Sequence, residues 1–252
     1  MLKIHIIGGS GSGKTTLGGQ LAKRFGIPHY DLDQVGWKHG MKPLACYVEE
    51  ALTILKQPGW VTEGNYLFWT DPLLHQADCI VLLDIPLAVA VWRVLYRHVD
   101  KSLRGTNPYA TKLMIPLLKG IFYFYDHTDR PPTEFMRTYL DLYRQQTKVP
   151  ATGFNEEFSA RYLAIYQAIS EPPAADFSQH YRETYNNGVE PPVLDFLRMH
   201  HEKFRMSELD RTIDTTYKYL EYYPGKVFVL KTKADRQRLL THLSTLDQRQ
   251  SD

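Results

Sequence analysis

Gly8-Gly9-Ser10-Gly11-Ser12-Gly13-Lys14-Thr15 decides the fold of this 252-residue chain. It has glycine, four free positions and then Gly-Lys-Thr, and its flanks have the order such a loop needs. Ahead of it, Leu2-Lys3-Ile4-His5-Ile6-Ile7 is a short β-branched run that predicts a buried strand. Behind it, Thr16 to Phe25 carries Leu17, Leu21 and Phe25 at helical spacing, and Gly26 supplies a stop. Glycines let successive backbone N–H groups turn inward around an anion, and the helix adds the positive end of its dipole. Gly8, Gly9, Ser10, Gly11, Ser12, Gly13 and Thr16 are therefore expected around the phosphates of a nucleotide. Lys14 would supply a point charge to the β- and γ-phosphates, and the Thr15 hydroxyl suits a Mg2+ ligand.

Composition narrows the setting. The length allows one α/β domain with a large insertion or two modest domains, and 43% apolar residues are enough for a packed core. The 30 basic and 28 acidic side chains leave a net charge of +2, with no basic arm in either half. That balance does not favour a nucleic-acid partner. Cys46 and Cys79 are too few and too far apart for a disulfide framework or a zinc ligand set, which fits a reducing, cytoplasmic setting. The apolar run at Ile4 to Ile7 is too short for a signal peptide. Leu113 to Tyr125 is interrupted by Pro116 and Lys119, so no membrane partner is expected.

Beyond the loop, short strands alternate with helices. Pro28-His29-Tyr30, Trp60-Val61-Thr62, Ile80 to Asp84 and Lys226 to Leu230 read as strands. A polar turn from Gly36 to Pro43 precedes a helix over Ala45 to Lys56. Pro86 opens a helix to about His98, and Asp235 to Leu246 is the last helix. This alternation means a parallel sheet covered on both faces. The stretch from about 99 to 223 has a different character, mostly helical and holding most of the tyrosines. Pro131-Pro132, Pro172-Pro173 and Pro191-Pro192 predict three helix starts. Tyr139/Tyr143, Tyr162/Tyr166 and Tyr181/Tyr185 are pairs on one helix face, either packing helices together or presenting a surface to a partner.

A phosphate loop alone does not choose among its users. No Asn is followed by Lys, so the guanine-reading element is missing, and no strand ends in the Asp-Glu pair of many ATPases. Acidic residues do stand at strand ends: Asp31 and Asp33, Glu63, and Asp84. In a parallel sheet those ends share an edge with the loop, so these carboxylates should face the nucleotide. Asp84, just before Ile85-Pro86, has a second reading as a cap for the next helix. Arg93 and Arg97 are four apart on one helix face, able to converge on a phosphate chain or to pair on the surface. Arg104, in Leu103-Arg104-Gly105-Thr106, is either on a swinging loop or a surface arginine. His200-His201 point about 100° apart on a helix and would not chelate together.

Three segments taken together resemble the adenylate-kinase-like P-loop kinases, in particular the subgroup called DNA topology modulation proteins. They are Ile6 to Leu17, Gly26 to Asp33, and Trp60-Val61-Thr62-Glu63-Gly64-Asn65-Tyr66. Leu83 to Pro86, Trp92 to Arg97 and Lys226 to Lys233 continue the likeness, which covers roughly residues 1–98 and 215–245 and is absent from about 131 to 205. The resemblance implies a three-layer α/β sandwich on a five-stranded parallel sheet of order 2-3-1-4-5, with a mobile lid after strand four. The core would be residues 1–98 plus 206–252, and 99–205 a large helical lid insertion. It implies that Glu63 holds Mg2+ through water where the family usually has aspartate. Asp31 would be a metal contact, and Asp33 a carboxylate facing the acceptor hydroxyl. Arg93 and Arg97 would serve adenine and phosphate, while Thr232 and Lys233 would lie against the adenine. Gly64, Asn65 and Tyr66 would line an acceptor pocket, although Asn65 and Tyr66 also suit the turn after β-strand three.

The expected activity is phosphoryl transfer from Mg-ATP to a nucleoside monophosphate or another small acceptor. Lys14, Asp33, Arg93, Arg97 and Arg104 would carry the transfer itself. The competing reading is a nucleotide-gated module whose helical insertion contacts a protein or nucleic acid.

Overall fold

Alternating side chains of the first strand divide the molecule into two cores. The computed structural model describes residues 1–34, 44–105, 114–125, 148–149, 154–170 and 212–251. Strand β1 (Lys3–Gly8) turns Ile4 and Ile6 to one face of the sheet and Ile7 to the other. It is joined by β2 (His29–Asp31), β3 (Trp60–Gly64), β4 (Cys79–Leu83) and β5 (Val227–Leu230). All pair in parallel, in the order β2-β3-β1-β4-β5. The expected strand order is the observed one. Both faces are covered, so the strands are near-continuous apolar runs; β4, Cys-Ile-Val-Leu-Leu, is buried throughout.

The helices of the described residues, in chain order, are α1 (Lys14–Phe25), α2 (Leu44–Leu55), α3 (Asp71–Gln76), α4 (Leu87–Leu103), α5 (Met114–Phe124), α6 (Glu156–Ser170), α7 (Ile213–Leu220) and α8 (Lys233–Ser251). One face of the sheet packs Leu17 and Leu21 of α1 and Leu239 and Leu243 of α8 against Ile4, Ile6, Val61 and Val81. The other packs Val48, Ala51 and Ile54 of α2 with Leu73, Leu74, Tyr219 and the aromatic stripe of α6 against Ile7, Trp60, Ile80 and Leu82. Burying one such side chain contributes roughly 1.5–3 kcal/mol, so the two layers outweigh any single polar contact described below. His5, between the strands, meets Thr62 Oγ1 at 2.7 Å, and burial pushes its pKa down to about 3, which keeps the ring neutral.

Several elements differ from their sequence readings for local reasons. Helix α4 continues past His98 to Leu103, because nothing breaks it before Gly105, whose φ of +66° ends it. Pro116 lies within α5. It sits in the first turn, where its missing N–H has no partner within the helix. Helix α3 is too short to show periodicity, and α7 starts at a Thr212 cap that accepts from Thr215 N at 3.1 Å.

Tyr162 and Tyr166 follow the packing reading. They are 1% exposed, with ring centroids 5.2 Å apart, and join α6 to the core beside α2. The pairs Tyr139/Tyr143 and Tyr181/Tyr185, the proline-led helix starts at 131, 172 and 191, the turn from Gly36 to Pro43, Thr106, and His200-His201 lie outside the described residues.

Candidate active site

The loop between β1 and α1 is held from outside by α4. Gly11 and Gly13 take φ values of +80° and +99°, which bring the loop round to the start of α1. A Cβ on Gly11 would stand 2.5 Å from the Ala90 carbonyl oxygen and 2.9 Å from Val94 Cγ2, so only glycine lets α4 lie this close. Arg93, one turn along α4, donates to the carbonyls of Ser12 at 2.9 Å and Gly11 at 3.5 Å. Carbonyls tied outward by a guanidinium leave the opposite, N–H side of the loop for an anion. Arg93 therefore braces the loop in this structure, while Arg97, its neighbour on the same helix face, lines the cavity.

That cavity has a volume of about 720 Å3. It is lined by Ser10, Gly11, Gly13, Lys14, Thr15 and Thr16 from the loop and α1. Asp31, Asp33 and Gln34 contribute from the end of β2; Arg93, Val94, Arg97, His98 and Lys101 from α4; Met114 and Leu117 from α5. Four cations against two carboxylates make it an anion-attracting cleft. Lys101 was not singled out in the sequence, yet it lies four residues past Arg97 and eight past Arg93, the signature of one helical face.

Lys14 is buried, and its Nζ donates to the Gly9 carbonyl at 3.3 Å. Burial lowers its pKa, and the carboxylates of Asp33, Glu63 and Asp31 oppose that shift. Glu63 is 1% exposed at the end of β3, in register with Asp31 of β2 and Ile6 of β1. Burial pushes its pKa up to about 7 against the pull of the Thr15 hydroxyl and Lys14. Its Oε1 has no hydrogen-bond partner. A buried carboxylate oxygen left unpartnered beside a threonine hydroxyl and strand-end aspartates fits a hard divalent cation. Asp31 is shaped by its own turn, accepting from Asp33 N at 3.0 Å and Gln34 Nε2 at 3.4 Å, and this turn sets Asp33 at the cavity wall.

Other candidates stand apart from the cavity lining. Arg104 pairs with Asp100 at 2.9 Å with its side chain 71% exposed, and does not reach the cavity wall. Thr232 caps α8: its Oγ accepts from Asp235 N at 3.2 Å, and its own N–H donates to Asp235 Oδ2 at 2.8 Å. Neither it nor Lys233 lines the cavity. Tyr66 packs on Trp69 with ring centroids 5.1 Å apart; Gly64 ends β3 beside Leu32, and Asn65 and Tyr66 follow it. Asp84 is not among the residues lining the cavity, and it does not cap α4. It accepts from the Tyr217 hydroxyl at 2.7 Å and pairs with Lys231 Nζ at 2.9 Å, while α4 begins at Pro86 with no side-chain cap.

Glu63 gives the site a pH signature. Its folded pKa of about 7 lies above its ordinary value of 4.5, so the folded state binds the extra proton. The cost of burying the charge is absent below pH 4.5, grows as pH rises, and is complete above about 7. Glu63→Gln is expected to melt higher than the parent protein at pH 8, with the gap closing toward pH 5. Equal melting temperatures across that range would show that Glu63 is not a desolvated carboxylate.

No family model matches the chain. Over 104 residues, 39% of its length, it is 33% identical to the protein called Uncharacterized protein YqaC of Bacillus subtilis (strain 168); the match spans 57% of that relative. Among solved structures it is similar to a gluconokinase from Sinorhizobium meliloti 1021, at 15% identity and a TM-score of 0.34, covering 73% of this chain and 98% of that one. It is also similar to a shikimate kinase from Aquifex aeolicus vf5, at 20% identity and a TM-score of 0.29, covering 46% and 80%. Among the described residues no helix is long and apolar enough to cross a membrane.

Proposed function

We propose that the chain is an ATP-dependent phosphotransferase that moves the γ-phosphoryl group of Mg-ATP to a small acceptor, either a nucleoside monophosphate or another hydroxyl or phosphate compound. One observation carries this reading. A single cavity joins the Lys14–Thr15 loop, the Arg97 and Lys101 face of α4, and the Asp31/Asp33 turn. A site that only held nucleotide would need the first two. The carboxylates across from them suit a second reactant.

In this reading Lys14 and the loop N–H groups bind the phosphates, and Arg93 holds the loop in shape by its carbonyls. Arg97 meets charge on the transferring group. Asp33, exposed at the cavity wall, accepts the proton of an acceptor hydroxyl as its oxygen bonds to the γ-phosphorus and the bond to the β–γ bridging oxygen breaks. Thr15 and Glu63 would hold Mg2+, with Asp31 beside them; when bound it neutralises charge on the β- and γ-oxygens. We assign Arg104 to the transferring group, Thr232 and Lys233 to the adenine, and Gly64, Asn65 and Tyr66 to the acceptor, although none of the six lines the cavity in this structure. We also propose that residues 99–205 act as an insertion that shapes the acceptor side. In support, Met114 and Leu117 of α5 already form part of the cavity wall.

The test is coupled ADP release over a panel of nucleoside monophosphates, sugar acids and small alcohols with Mg-ATP as donor. At least one acceptor is expected to raise turnover well above slow ATP hydrolysis. If none does, the transferase reading fails, and a nucleotide-gated module becomes the better account.

A further inference from the structure

Gly9 is glycine for a reason that lies outside its own loop. Gly11 and Gly13 have positive φ, but Gly9 does not, so its backbone makes no demand for glycine. The ring of Phe124 makes that demand instead. A Cβ on Gly9 would stand 2.6 Å from Phe124 Cδ1 and 3.1 Å from both Cγ and Cε1. Phe124, the last residue of α5, is 1% exposed, and Tyr125 meets its ring edge-on with centroids 4.9 Å apart. Enclosed in this way, the ring has nowhere to turn and rests on bare backbone. The Gly9 carbonyl in turn accepts from two donors of the loop, Ser12 N–H at 3.2 Å and Lys14 Nζ at 3.3 Å. Met114, Leu117, Ile121 and Phe124 follow one another at helical spacing, so a single face of α5 runs from the cavity wall to the back of the loop.

We propose that Phe124 is a positioning residue for Lys14. By packing on Gly9 it fixes the carbonyl that the Lys14 ammonium and the Ser12 amide share, and so sets where both groups stand relative to a bound phosphate chain. A buried ammonium is held only as well as its acceptor is held. Gly9 has no side chain with which to anchor itself, so the place of that acceptor depends on what packs against it. Displacing a reacting group by about 1 Å from a remote residue can cost about 10²-fold. Phe124 lies within 99–205, so the phosphate loop is completed by a part of the chain outside the core that carries it. This role rests on the loop's being a nucleotide site, but the first measurement uses no nucleotide, so the two can fail separately.

Residue-resolved amide exchange is measured on the nucleotide-free full chain. Phe124→Leu keeps an apolar side chain but withdraws the ring from Gly9, and is expected to quicken exchange at Ser12 at least ~5-fold while β1 and β4 stay protected. Phe122→Ala, at a position of α5 that is 54% exposed, is expected to leave Ser12 as in the parent protein. Affinity for Mg-ADP is then followed by calorimetry. Phe124→Leu should weaken it about 10-fold at temperatures where the variant is fully folded, whereas a residue that only stabilises the fold would leave it unchanged. Gly9→Ala should also weaken binding about 10-fold, because a methyl added to filled space forces a shift. Once Phe124→Ala has removed the ring, the same Gly9→Ala change should cost less than ~3-fold. Ser12 exchange in Phe124→Leu no faster than in Phe122→Ala, or losses of affinity from Gly9→Ala and Phe124→Ala that simply add, would overturn the proposal. The exchange comparison, made on the milder variant, decides the matter even where Phe124→Ala does not fold. A parent protein without affinity for Mg-ADP would instead remove the nucleotide reading of the loop, and Ser12 exchange would still decide the role of Phe124.

Discussion

Lys14→Ala is expected to lower ATP turnover by about 10²–10³-fold or more, with no loss of folded protein, because one preorganised charge at the transferring group contributes on that scale. The structure explains why the two effects separate. The Lys14 ammonium is buried, and it donates to a carbonyl of its own loop at 3.3 Å, so it is neither solvated nor paired at close range with a carboxylate. Burial already lowers its pKa, with Asp33, Glu63 and Asp31 acting in the other direction. Removing a desolvated charge relieves a cost, so the melting temperature of Lys14→Ala should stay level or rise. Lys14→Gln, which keeps a donor but not the charge, distinguishes electrostatics from loop shape and should be nearly as inactive. Turnover with saturating ATP, nucleotide affinity by calorimetry and thermal unfolding together make the check. Parental turnover in Lys14→Ala would remove the loop from the chemistry altogether.

The contrast between loop and surroundings shows where sequence is informative. Everything from Leu2 to Gly26 was readable because its constraints are local: a β-branched run, glycines at fixed offsets and a helical stripe. The identity of Arg93 was readable too, but not its partner, since the carbonyls of Gly11 and Ser12 come within reach only through the approach of α4 at Ala90 and Val94. Glu63 was readable as a carboxylate at a strand end, and the family likeness added its Mg2+ role, but its burial was not readable. Its burial depends on strands drawn from residues 3–8 and 29–31, and no window of sequence contains that. The pair Tyr162 and Tyr166 announced a helix face but not which body it would cover. The partners of Asp84 were out of reach for the same reason, as Tyr217 and Lys231 lie well over a hundred residues further along the chain.

Long-range closure of that kind predicts the largest effect on stability. Asp71, at the start of α3 and 1% exposed, accepts from the Tyr219 hydroxyl at 2.6 Å and from the Tyr223 hydroxyl, with His75 Nε2 3.6 Å away. Lys226 Nζ then donates to the His75 carbonyl at 2.6 Å, so α3 is tied both to the end of α7 and to the entry of β5. Asp71→Ala takes away the acceptor that two buried hydroxyls share and opens space in the aromatic core beneath them. The expected loss is about 3–5 kcal/mol, the scale for breaking one partner out of a buried network. Set against the roughly 5–15 kcal/mol by which domains are stable, that is a large fraction. At about 2–4 °C per kcal/mol for a chain of this size, the melting temperature should fall by roughly 6–20 °C. Tyr219→Phe and Tyr223→Phe should each cost less, and combining either with Asp71→Ala should add little, because the interaction is already gone. A melting temperature within about 2 °C of the parent for Asp71→Ala would show that the network contributes nothing net. The consequence for function follows from position. This network fixes the point at which the chain returns from residues 99–205 to complete the sheet, so its loss should release β5 and α8 before it disturbs the β1–α1 loop. Amide exchange in Asp71→Ala is therefore expected to quicken first over 213–246, with the loop at 8–15 protected until the rest of the core opens.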